Sequence, residues 1–191
     1  MASIKGTKTE QNLLKAFAGE SQARNRYTYA ASVAKKEGYE QIAAIFQETA
    51  DQEKQHAKRF FRFLEGGMVE INAMYPAGII GTTAENLKAA ADGEHEEYTA
   101  LYPEFARIAK EEGFPQVAAQ FNLVSKAEAH HEQRYRMVLE NLEKTELFKK
   151  AQATKWICRE CGYVHEGPEA PKVCPCCEHP QAFFQVLTDI Y

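Results

Sequence analysis

Two segments of this chain each place a glutamate and a histidine three residues apart in the middle of an apolar stripe. The pairs are Glu53 with His56 and Glu128 with His131. Around each pair, apolar residues recur at steps of four and three, which puts them on one face of a helix. Burying a carboxylate and an imidazole there without a partner is strongly unfavourable. We therefore expect a metal ion to compensate these groups.

Two further helices are expected to complete the ligand set. Glu20 lies in an apolar stripe near the start of the chain, and Glu94 and Glu97 lie one turn apart on another helix. One Glu from each of two helices, plus a Glu-x-x-His from each of two others, is the ligand pattern of ferritin-like di-iron bundles. A single Glu-x-x-His is usually a solvent-exposed pair without a functional role. Two copies in register, however, favour a dinuclear metal site. Its predicted ligands are Glu20, Glu53, His56, Glu94, Glu128 and His131, with Glu97 as a surplus carboxylate.

Two tyrosines are weaker candidates for the same site. Tyr27 and Tyr102 follow Glu20 and Glu94 by about two helical turns. At that position a phenol can donate a hydrogen bond to a carboxylate or to a bound oxygen species. Packing in the core with a satisfied hydroxyl is an equally good interpretation.

Start and stop signals predict a mainly α fold with four long helices. They are expected at residues 7–38, 39–67, 82–113 and 115–144. Capping boxes at Thr7 with Glu10 and at Thr82 with Glu85 open the first and third helices, and glycines end the first three. The connection after the second helix is long enough to return along the bundle, which predicts a long crossover.

The two halves of the helical region repeat each other with one mismatch. Glu20 matches Glu94 at an offset of 74 residues, whereas Tyr27 matches Tyr102 at an offset of 75. One extra residue therefore lies between Glu94 and Tyr102. An insertion that keeps the helix face downstream predicts a π-bulge, a feature common at functional sites. Glu97 falls in this stretch.

All five cysteines lie close together near the end of the chain. Cys158 and Cys161 form one Cys-x-x-Cys motif, and Cys174 and Cys177 form a second one twelve residues later. Each motif forms a turn whose backbone N–H groups face the sulfurs. The four thiolates can therefore enclose one tetrahedral metal ion. Zinc is the structural alternative, and iron gains support from the redox-capable bundle on the same chain. Cys176 is surplus and is expected to be a spectator thiol.

Composition limits the remaining possibilities. The chain has 191 residues, 45% of them hydrophobic, and a net charge of −4 with both signs interspersed, which argues against a nucleic-acid partner. Its longest apolar stretch, residues 71–84, is too short and broken to span a membrane, and the N-terminus has no secretory signal, so we expect a cytoplasmic protein. The predicted domains are a bundle at 1–146, a linker at 147–153 and a four-cysteine domain at 154–191.

Three segments carry a resemblance to the rubrerythrin family. They are Ala-Gly-Glu-Ser-Gln-Ala-Arg-Asn-Arg-Tyr at 18–27, Asp-Gln-Glu-Lys-Gln-His at 51–56, and the Cys-x-x-Cys-Gly-Tyr and Cys-Pro-x-Cys motifs. The resemblance covers essentially the whole chain. It implies a ferritin-like four-helix bundle with a long crossover, followed by a small rubredoxin-like β/loop domain. It also implies a non-haem di-iron site, an Fe(Cys)4 site and reduction of hydrogen peroxide.

The resemblance assigns roles to individual residues. The family's di-iron ligands fall on the seven residues named above, with His56 exchanging with Glu97 as one iron moves on a change of redox state. The rubredoxin-type ligands fall on the four paired cysteines, and we group Tyr27 and Tyr102 with Glu97 and His56 as catalytic candidates. In one departure from free-standing rubredoxins, Glu178 stands where Gly is usual, which leaves the hydrogen bonding at one sulfur open.

The predicted function is a peroxidase that takes electrons from a redox donor protein such as a rubredoxin or an NAD(P)H-dependent reductase. From His131 to Lys144 the helix covers about 20 Å, so the cysteine domain lies far from its own di-iron pair. A head-to-tail homodimer would bring the two sites together. An iron-storing ferroxidase gives the cysteine domain no role, an oxygenase requires a substrate pocket, and a zinc-binding structural variant leaves the buried Glu-x-x-His pairs unexplained.

Overall fold

The computed structural model describes residues 3–188, and its longest elements are helices. The five α-helices are α1 (Lys8–Lys36), α2 (Glu40–Phe61), α3 (Thr83–Glu96), α4 (Tyr102–Glu111) and α5 (Pro115–Glu143), with a π-helical turn (Glu97–Leu101) between α3 and α4. A small three-stranded domain follows. The predicted fold class, a helical bundle with a long crossover before a small β domain, is confirmed. Within residues 3–188, no helix is both long and apolar enough to cross a membrane.

Capping residues set the helix starts much as expected. The Thr82 hydroxyl accepts a hydrogen bond from the Glu85 N–H, and the Glu85 carboxylate accepts one from the Thr82 N–H, so the predicted capping box of α3 is confirmed. At α1, Thr7 accepts from the Glu10 N–H at 3.1 Å, whereas the Glu10 carboxylate accepts from the Gly6 N–H at 2.8 Å. The second half of that box is therefore displaced by one residue.

Helix α2 ends earlier than the glycines at 66 and 67 predict. Its last residue is Phe61, and the chain then turns away from the helix axis. The Glu65 carboxylate accepts hydrogen bonds from the Ser3 hydroxyl at 2.6 Å and the Ile4 N–H at 3.1 Å. The N-terminal segment thus holds this turn in place, which no local stop signal indicates.

The predicted π-bulge is confirmed. The Tyr102 N–H donates to the Glu97 carbonyl, five residues earlier, and the regular α-helix resumes immediately afterwards. Because the extra residue is absorbed in this turn, Tyr102 and Phe105 still face the core, where both are buried. The turn therefore keeps α4 in register with the apolar face of α5.

The bundle consists of two helical hairpins with a polar layer between two apolar clusters. The hairpins are α1 with α2, and α3–α4 with α5. One cluster is centred on Tyr27, Phe46 and Tyr135, and the other on Phe60 and Phe121. Along α1, α2, α5 and the combined α3–α4 segment, the candidate metal ligands fall between residues of these two clusters, so the clusters shield the polar layer from water at both ends.

The cysteine domain is a three-stranded antiparallel sheet. Its strands are β1 (Lys149–Cys158), β2 (Val164–Glu169) and β3 (Phe184–Val186), in the order β2-β1-β3, with Trp156 fully buried beneath them. Strand β1 begins inside the segment predicted to be a linker, so most of residues 147–153 are strand. The reason is Phe148, which packs against the cores of both the bundle and the sheet and stacks on Tyr39.

Candidate metal centres

Six side chains of the polar layer form two overlapping clusters. In each cluster, one ligand atom from every residue lies within 4.8 Å of the others. Glu53 and Glu128 belong to both clusters, so each can direct one carboxylate oxygen to either side. The first cluster is Glu20, Glu53, His56 and Glu128, and the second is Glu53, Glu94, Glu128 and His131. This is the arrangement expected for two cations bridged by two carboxylates.

Several ligand atoms in the layer converge although they have no hydrogen-bond partner. His131 Nδ1 lies 3.0 Å from Glu53 Oε1 and 2.9 Å from Glu128 Oε2. Within residues 3–188, however, neither His131 Nδ1 nor either Glu128 oxygen has a hydrogen-bond partner of acceptable geometry. One oxygen each of Glu20, Glu53 and Glu94 is in the same situation. Buried polar atoms are normally satisfied, so this set fits metal ions that would accept their lone pairs.

Burial and mutual repulsion shift the pKa values of the carboxyl groups. Burial, reinforced by neighbouring carboxylates, raises the pKa of Glu20 and Glu97 well above the usual range and that of Glu94 to about 8. Burial acts the same way on Glu53, but His131 and His56 outweigh it and lower the Glu53 pKa to about 2. In the metal-free layer, Glu94 is therefore protonated near neutral pH beside an ionised Glu53.

The two histidines complete this charge balance. Burial lowers their pKa values, but Glu128 and Glu53 outweigh it and raise the pKa of His56 to about 10 and that of His131 to about 12. Without metal, the imidazoles are therefore protonated near neutral pH. A metal ligand must be deprotonated, so metal binding at this site releases protons.

Two tyrosine hydroxyls tie the halves of the repeat together. Tyr27, on α1, donates a hydrogen bond to Glu94 Oε1 at 2.6 Å, and Tyr102, on α4, donates one to Glu20 Oε1 at 2.5 Å. Both rings are also buried in the apolar clusters. The structure thus agrees with both interpretations of these tyrosines: the rings pack in the core, and the hydroxyls donate hydrogen bonds to carboxylates. Each phenol holds one oxygen of a candidate ligand and leaves the other directed into the layer.

We expect Tyr102→Phe to retain the bundle metals. We expect it to slow the reaction catalysed at this site by about tenfold to a hundredfold, the usual effect of losing a hydrogen bond to a metal ligand. Metal analysis and steady-state kinetics would measure the two effects. Tyr135→Phe is the matched control, because Tyr135 is equally buried and its hydroxyl bonds no carboxylate in residues 3–188. Equal kinetics for Tyr102→Phe and the unsubstituted protein would remove the phenol from the mechanism.

Gln52 was missed by the sequence analysis. Its Oε1 lies 2.9 Å from His131 Nε2, and its Nε2 lies 3.4 Å from Glu48 Oε1. The network assigns a proton to His131 Nε2 and fixes the ring so that Nδ1 faces the carboxylates. Its position next to Glu53 was the only sign of this role in the sequence. The contact itself could not be predicted, because it joins α2 to α5.

Glu97 occupies a different position from the other predicted ligands. It is the first residue of the π-helical turn, is half-buried, and is absent from both clusters of the described residues. It borders a cavity together with Tyr102 and Arg26. Its place as a ligand that exchanges with His56 stays a prediction.

The four paired cysteines form a second site. Their sulfurs lie within 4.8 Å of one another, with 3.8 Å between Cys158 and Cys177 and 3.7 Å between Cys161 and Cys174. A metal–sulfur distance of about 2.3 Å gives a tetrahedral edge of about 3.8 Å, so the spacing fits one ion. Cys176 is exposed and lies outside this group.

The two cysteine turns share a backbone conformation despite different residues. Gly162 has φ +77°, and Glu178 adopts the same left-handed region at φ +62°. Each donates its N–H to the carbonyl of the first cysteine of its turn, Cys158 or Cys174. Burial would raise the Cys174 pKa, but the N–H groups that face its sulfur lower that pKa to about 7. The Glu178 departure thus preserves a turn that favours a thiolate.

Comparison with known proteins agrees with this geometry. A family model described as rubrerythrin matches residues 11–139, and one described as the rubrerythrin rubredoxin-like domain matches residues 156–185. Rubrerythrin of Porphyromonas gingivalis is 62% identical over 99% of this chain and 94% of the relative. Rubrerythrin of Nitratidesulfovibrio vulgaris is 57% identical over 98% of both chains.

Solved structures support the same assignment. A mixed-valence nigerythrin structure superposes with a TM-score of 0.64 at 31% identity, covering 96% of this chain and 91% of that one. A related nigerythrin structure is described as fully reduced and all ferrous. Desulfovibrio desulfuricans bacterioferritin, at a TM-score of 0.63 and 24% identity over 73% of this chain and 82% of that one, shares the bundle fold. The chain therefore belongs to the rubrerythrin family, with a di-iron carboxylate site in its bundle and a four-cysteine metal site in its rubredoxin-like domain.

Proposed function

We propose that this protein is a non-haem di-iron peroxidase that reduces hydrogen peroxide to water. The observation that carries the proposal is the pair of clusters sharing Glu53 and Glu128, on the same chain as a four-cysteine site. Two ferrous ions bound in the clusters would supply the two electrons needed to cleave the O–O bond. A one-electron Fe(Cys)4 site gives a route for restoring them, and a ferroxidase or a zinc-binding structural protein has no need of both sites.

The residues around the two metal-ligand clusters can supply the protons that this reaction requires. Reducing one peroxide to two waters consumes two protons, and Glu97 is a nearby carboxyl group whose pKa burial raises well above its usual range. Tyr27 and Tyr102 hold Glu94 and Glu20 in place, and the apolar clusters limit water at both ends of the layer. In this proposal, Glu97 and His56 are the side chains that adjust to the redox state.

We expect Glu97→Ala to retain iron and to slow peroxide turnover by about a hundredfold, the loss typical of removing a proton-transfer group. Iron analysis and stopped-flow kinetics with peroxide would test this. Glu96→Ala is the control, because Glu96 is the exposed neighbour just before the π-helical turn. Unchanged turnover in Glu97→Ala would exclude Glu97 from the mechanism.

The positions of the two sites within one chain favour transfer between chains. The cysteine domain contacts the start of α2, where Phe148 stacks on Tyr39. His56 lies seventeen residues further along α2 than Tyr39, or about 25 Å at 1.5 Å per residue. Electron transfer over such a distance is slow, and we propose a head-to-tail homodimer in which each chain serves its partner.

A basic pocket beside His56 supports this dimer. The His56 side chain is 17% exposed and lines the pocket with Lys58, Arg59 and Arg62. The cysteine turns carry the exposed Glu160 and Glu178 close to the thiolates, which gives them the opposite charge. Complementary charge orients partners and speeds their association. Docking these turns at the pocket would place the sulfur site next to an exposed ligand of the bundle.

The remaining electron source is a donor protein, for which we propose a rubredoxin or an NAD(P)H-dependent reductase. For this protein we propose a cytoplasmic location. The five free cysteines are compatible with a reducing compartment.

Anaerobic reduction followed by reoxidation would test the proposed function. The protein would be reduced and then mixed with hydrogen peroxide or dioxygen while the visible absorbance of the ferric cysteine site is followed. We expect peroxide to restore the colour much faster than dioxygen does. Faster reoxidation by dioxygen would favour a ferroxidase, and a colourless protein would favour zinc in the cysteine site; either result would contradict the proposal.

A further inference from the structure

The two histidines of the polar layer differ at the ring nitrogen that faces away from the carboxylates. His131 Nε2 lies 2.9 Å from Gln52 Oε1, on the neighbouring helix α2. Within residues 3–188, the close polar contacts of His56 are all made by Nδ1, to carboxylates of the layer. In this range, only His131 therefore has a side chain that fixes its outer nitrogen.

A series of polar contacts continues outward from Gln52. Its amide nitrogen donates to one Glu48 oxygen at 3.4 Å, one turn earlier on α2. Arg134 Nη2, on α5 one turn after His131, donates to the other Glu48 oxygen at 2.6 Å. We call Gln52, Glu48 and Arg134 the outer arm. It leaves α5 at His131, crosses two turns of α2 and returns to α5.

The Glu48 carboxylate determines how the Gln52 amide is oriented. In the reverse orientation, the amide oxygen would face the Glu48 carboxylate, and the amide N–H would require a lone pair on His131 Nε2. The proton of the neutral ring would then lie on Nδ1, between oxygens of Glu53 and Glu128. The observed orientation places that proton on Nε2 and leaves the Nδ1 lone pair for a metal ion.

The internal repeat shows that the other half of the bundle has different residues in place of the arm. At the offset of 75 residues that relates the two Glu-x-x-His pairs, Gln52 corresponds to Ala127 and Glu48 to Leu123. Both replacements are apolar side chains that form no hydrogen bonds. Leu123 is also exposed, so it does not serve the core instead.

The arginine is the member of the arm that has a counterpart. Arg134 corresponds to Arg59, which lines the basic pocket with His56 and donates to Gln120 at 2.8 Å. The guanidinium group is thus present in both halves. At His56, however, the side chains that would connect it to the imidazole are replaced by apolar ones.

We propose that the outer arm consists of positioning residues that keep His131 on its metal ion, and that its replacement by Ala127 and Leu123 leaves His56 free to move. A hydrogen-bond partner on the far nitrogen fixes the orientation of a metal-binding histidine. A ring held in this way must break one more hydrogen bond before it rotates. This inference rests on the proposed function, in which His56 adjusts to the redox state, and explains why His131 does not.

Histidine ¹⁵N NMR of the full-length, zinc-loaded protein would test the arm without turnover. Exchange of the His131 Nε2–H with water reports on the contact with Gln52, because a bonded N–H is protected. We expect Gln52→Leu to accelerate this exchange by about tenfold, the effect of losing one hydrogen bond. Gln47→Leu is the matched control, because Gln47 is on the same helix and contacts Asp51. Unchanged exchange in Gln52→Leu would overturn the inference.

The same measurement tests the outer part of the arm. We expect Glu48→Leu to accelerate the exchange of the His131 Nε2–H by about twofold, the effect of a polar contact between residues one helical turn apart. The effect is smaller than that of Gln52→Leu because the amide keeps its contact with the ring. An exchange rate equal to that of the unsubstituted protein would remove Glu48 and Arg134 from the arm.

Transferring the arm to His56 gives an independent test. The double variant Leu123→Glu with Ala127→Gln supplies the two side chains that this half lacks beside Arg59. In the zinc-loaded protein, exchange of the His56 Nε2–H should slow by about tenfold. In the iron-loaded protein, iron content should stay the same and peroxide turnover should fall by about tenfold, because His56 must break the added hydrogen bond to move.

Leu123→Glu with Ala127→Leu is the control for the transfer, since it adds the charge and a larger side chain without the amide. Equal His56 exchange in the double variant and in this control would contradict the inference. Slower exchange with undiminished turnover would also contradict it, because His56 would then be held without consequence. If the unsubstituted protein does not reduce hydrogen peroxide, the proposed function fails, whereas the exchange rates in the zinc-loaded protein still decide whether the arm holds His131.

Discussion

Glu53→Gln is expected to remove both bundle metals at once. Glu53 contributes an oxygen to each cluster and, like Glu128, lies close to both histidines. The amide is neutral and has a single acceptor oxygen, so it cannot bridge two cations. We expect iron to fall from three ions per chain to the one in the cysteine site. We expect peroxide turnover to drop by more than about a hundredfold, because losing a ligand costs more than losing an outer partner of a ligand.

Metal analysis, with the visible absorbance of the cysteine site as an internal reference, would measure this loss. Glu132→Gln is the matched control. Glu132 lies one turn beyond Glu128 on the same helix and is also buried, but it contacts His95 and Arg136 outside the clusters. Its substitution should leave all metals bound. Retention of one bundle ion in Glu53→Gln would contradict the bridging role of Glu53.

Mixing two inactive variants is expected to restore turnover. Glu53→Gln keeps the cysteine site and loses the bundle metals, whereas Cys174→Ser keeps the bundle metals and loses the cysteine site. In a head-to-tail dimer formed by coexpression, one complete electron path joins the cysteine site of the first chain to the bundle of the second. Half of randomly formed dimers are mixed and each holds one of two paths, so we expect about one quarter of the unsubstituted activity.

Steady-state peroxide reduction with a rubredoxin as donor would measure this recovery. In the control, Cys174→Ser is coexpressed with a chain that carries both substitutions, and no activity should return because the mixture contains no intact cysteine site. Failure of the first mixture to recover, with dimers demonstrated by sedimentation, would show that electrons stay within one chain.

Features that repeat within the chain could be predicted from the sequence. The two Glu-x-x-His pairs sit at matching points of two apolar stripes, and periodicity alone indicates which face is buried. The π-helical turn was visible because one half of the repeat served as a reference for the other. The offset between Glu94 and Tyr102 differs by one residue from that between Glu20 and Tyr27. Local spacing contains this information, and the structure agrees with it.

Features that depend on contacts between distant segments could not be predicted in this way. Helix α2 ends at Phe61 because Glu65 is held by Ser3 and Ile4, some sixty residues away. Strand β1 starts early because the partly buried Phe148 packs against the cores of both domains, while most of the first half of the strand is exposed and has no alternating pattern. The contact of Gln52 with His131 likewise depends on which helices become neighbours.

The π-helical turn also breaks the equivalence of the two metal positions. A perfect internal duplication would give twin environments, and an electron entering the pair would be divided between them. Here only the second half of the repeat carries the additional Glu97, so two bound ions would have unequal surroundings. We expect the first electron to reside on the same iron in every molecule. Stepwise reduction of this centre then follows a fixed order that is set by one inserted amino acid.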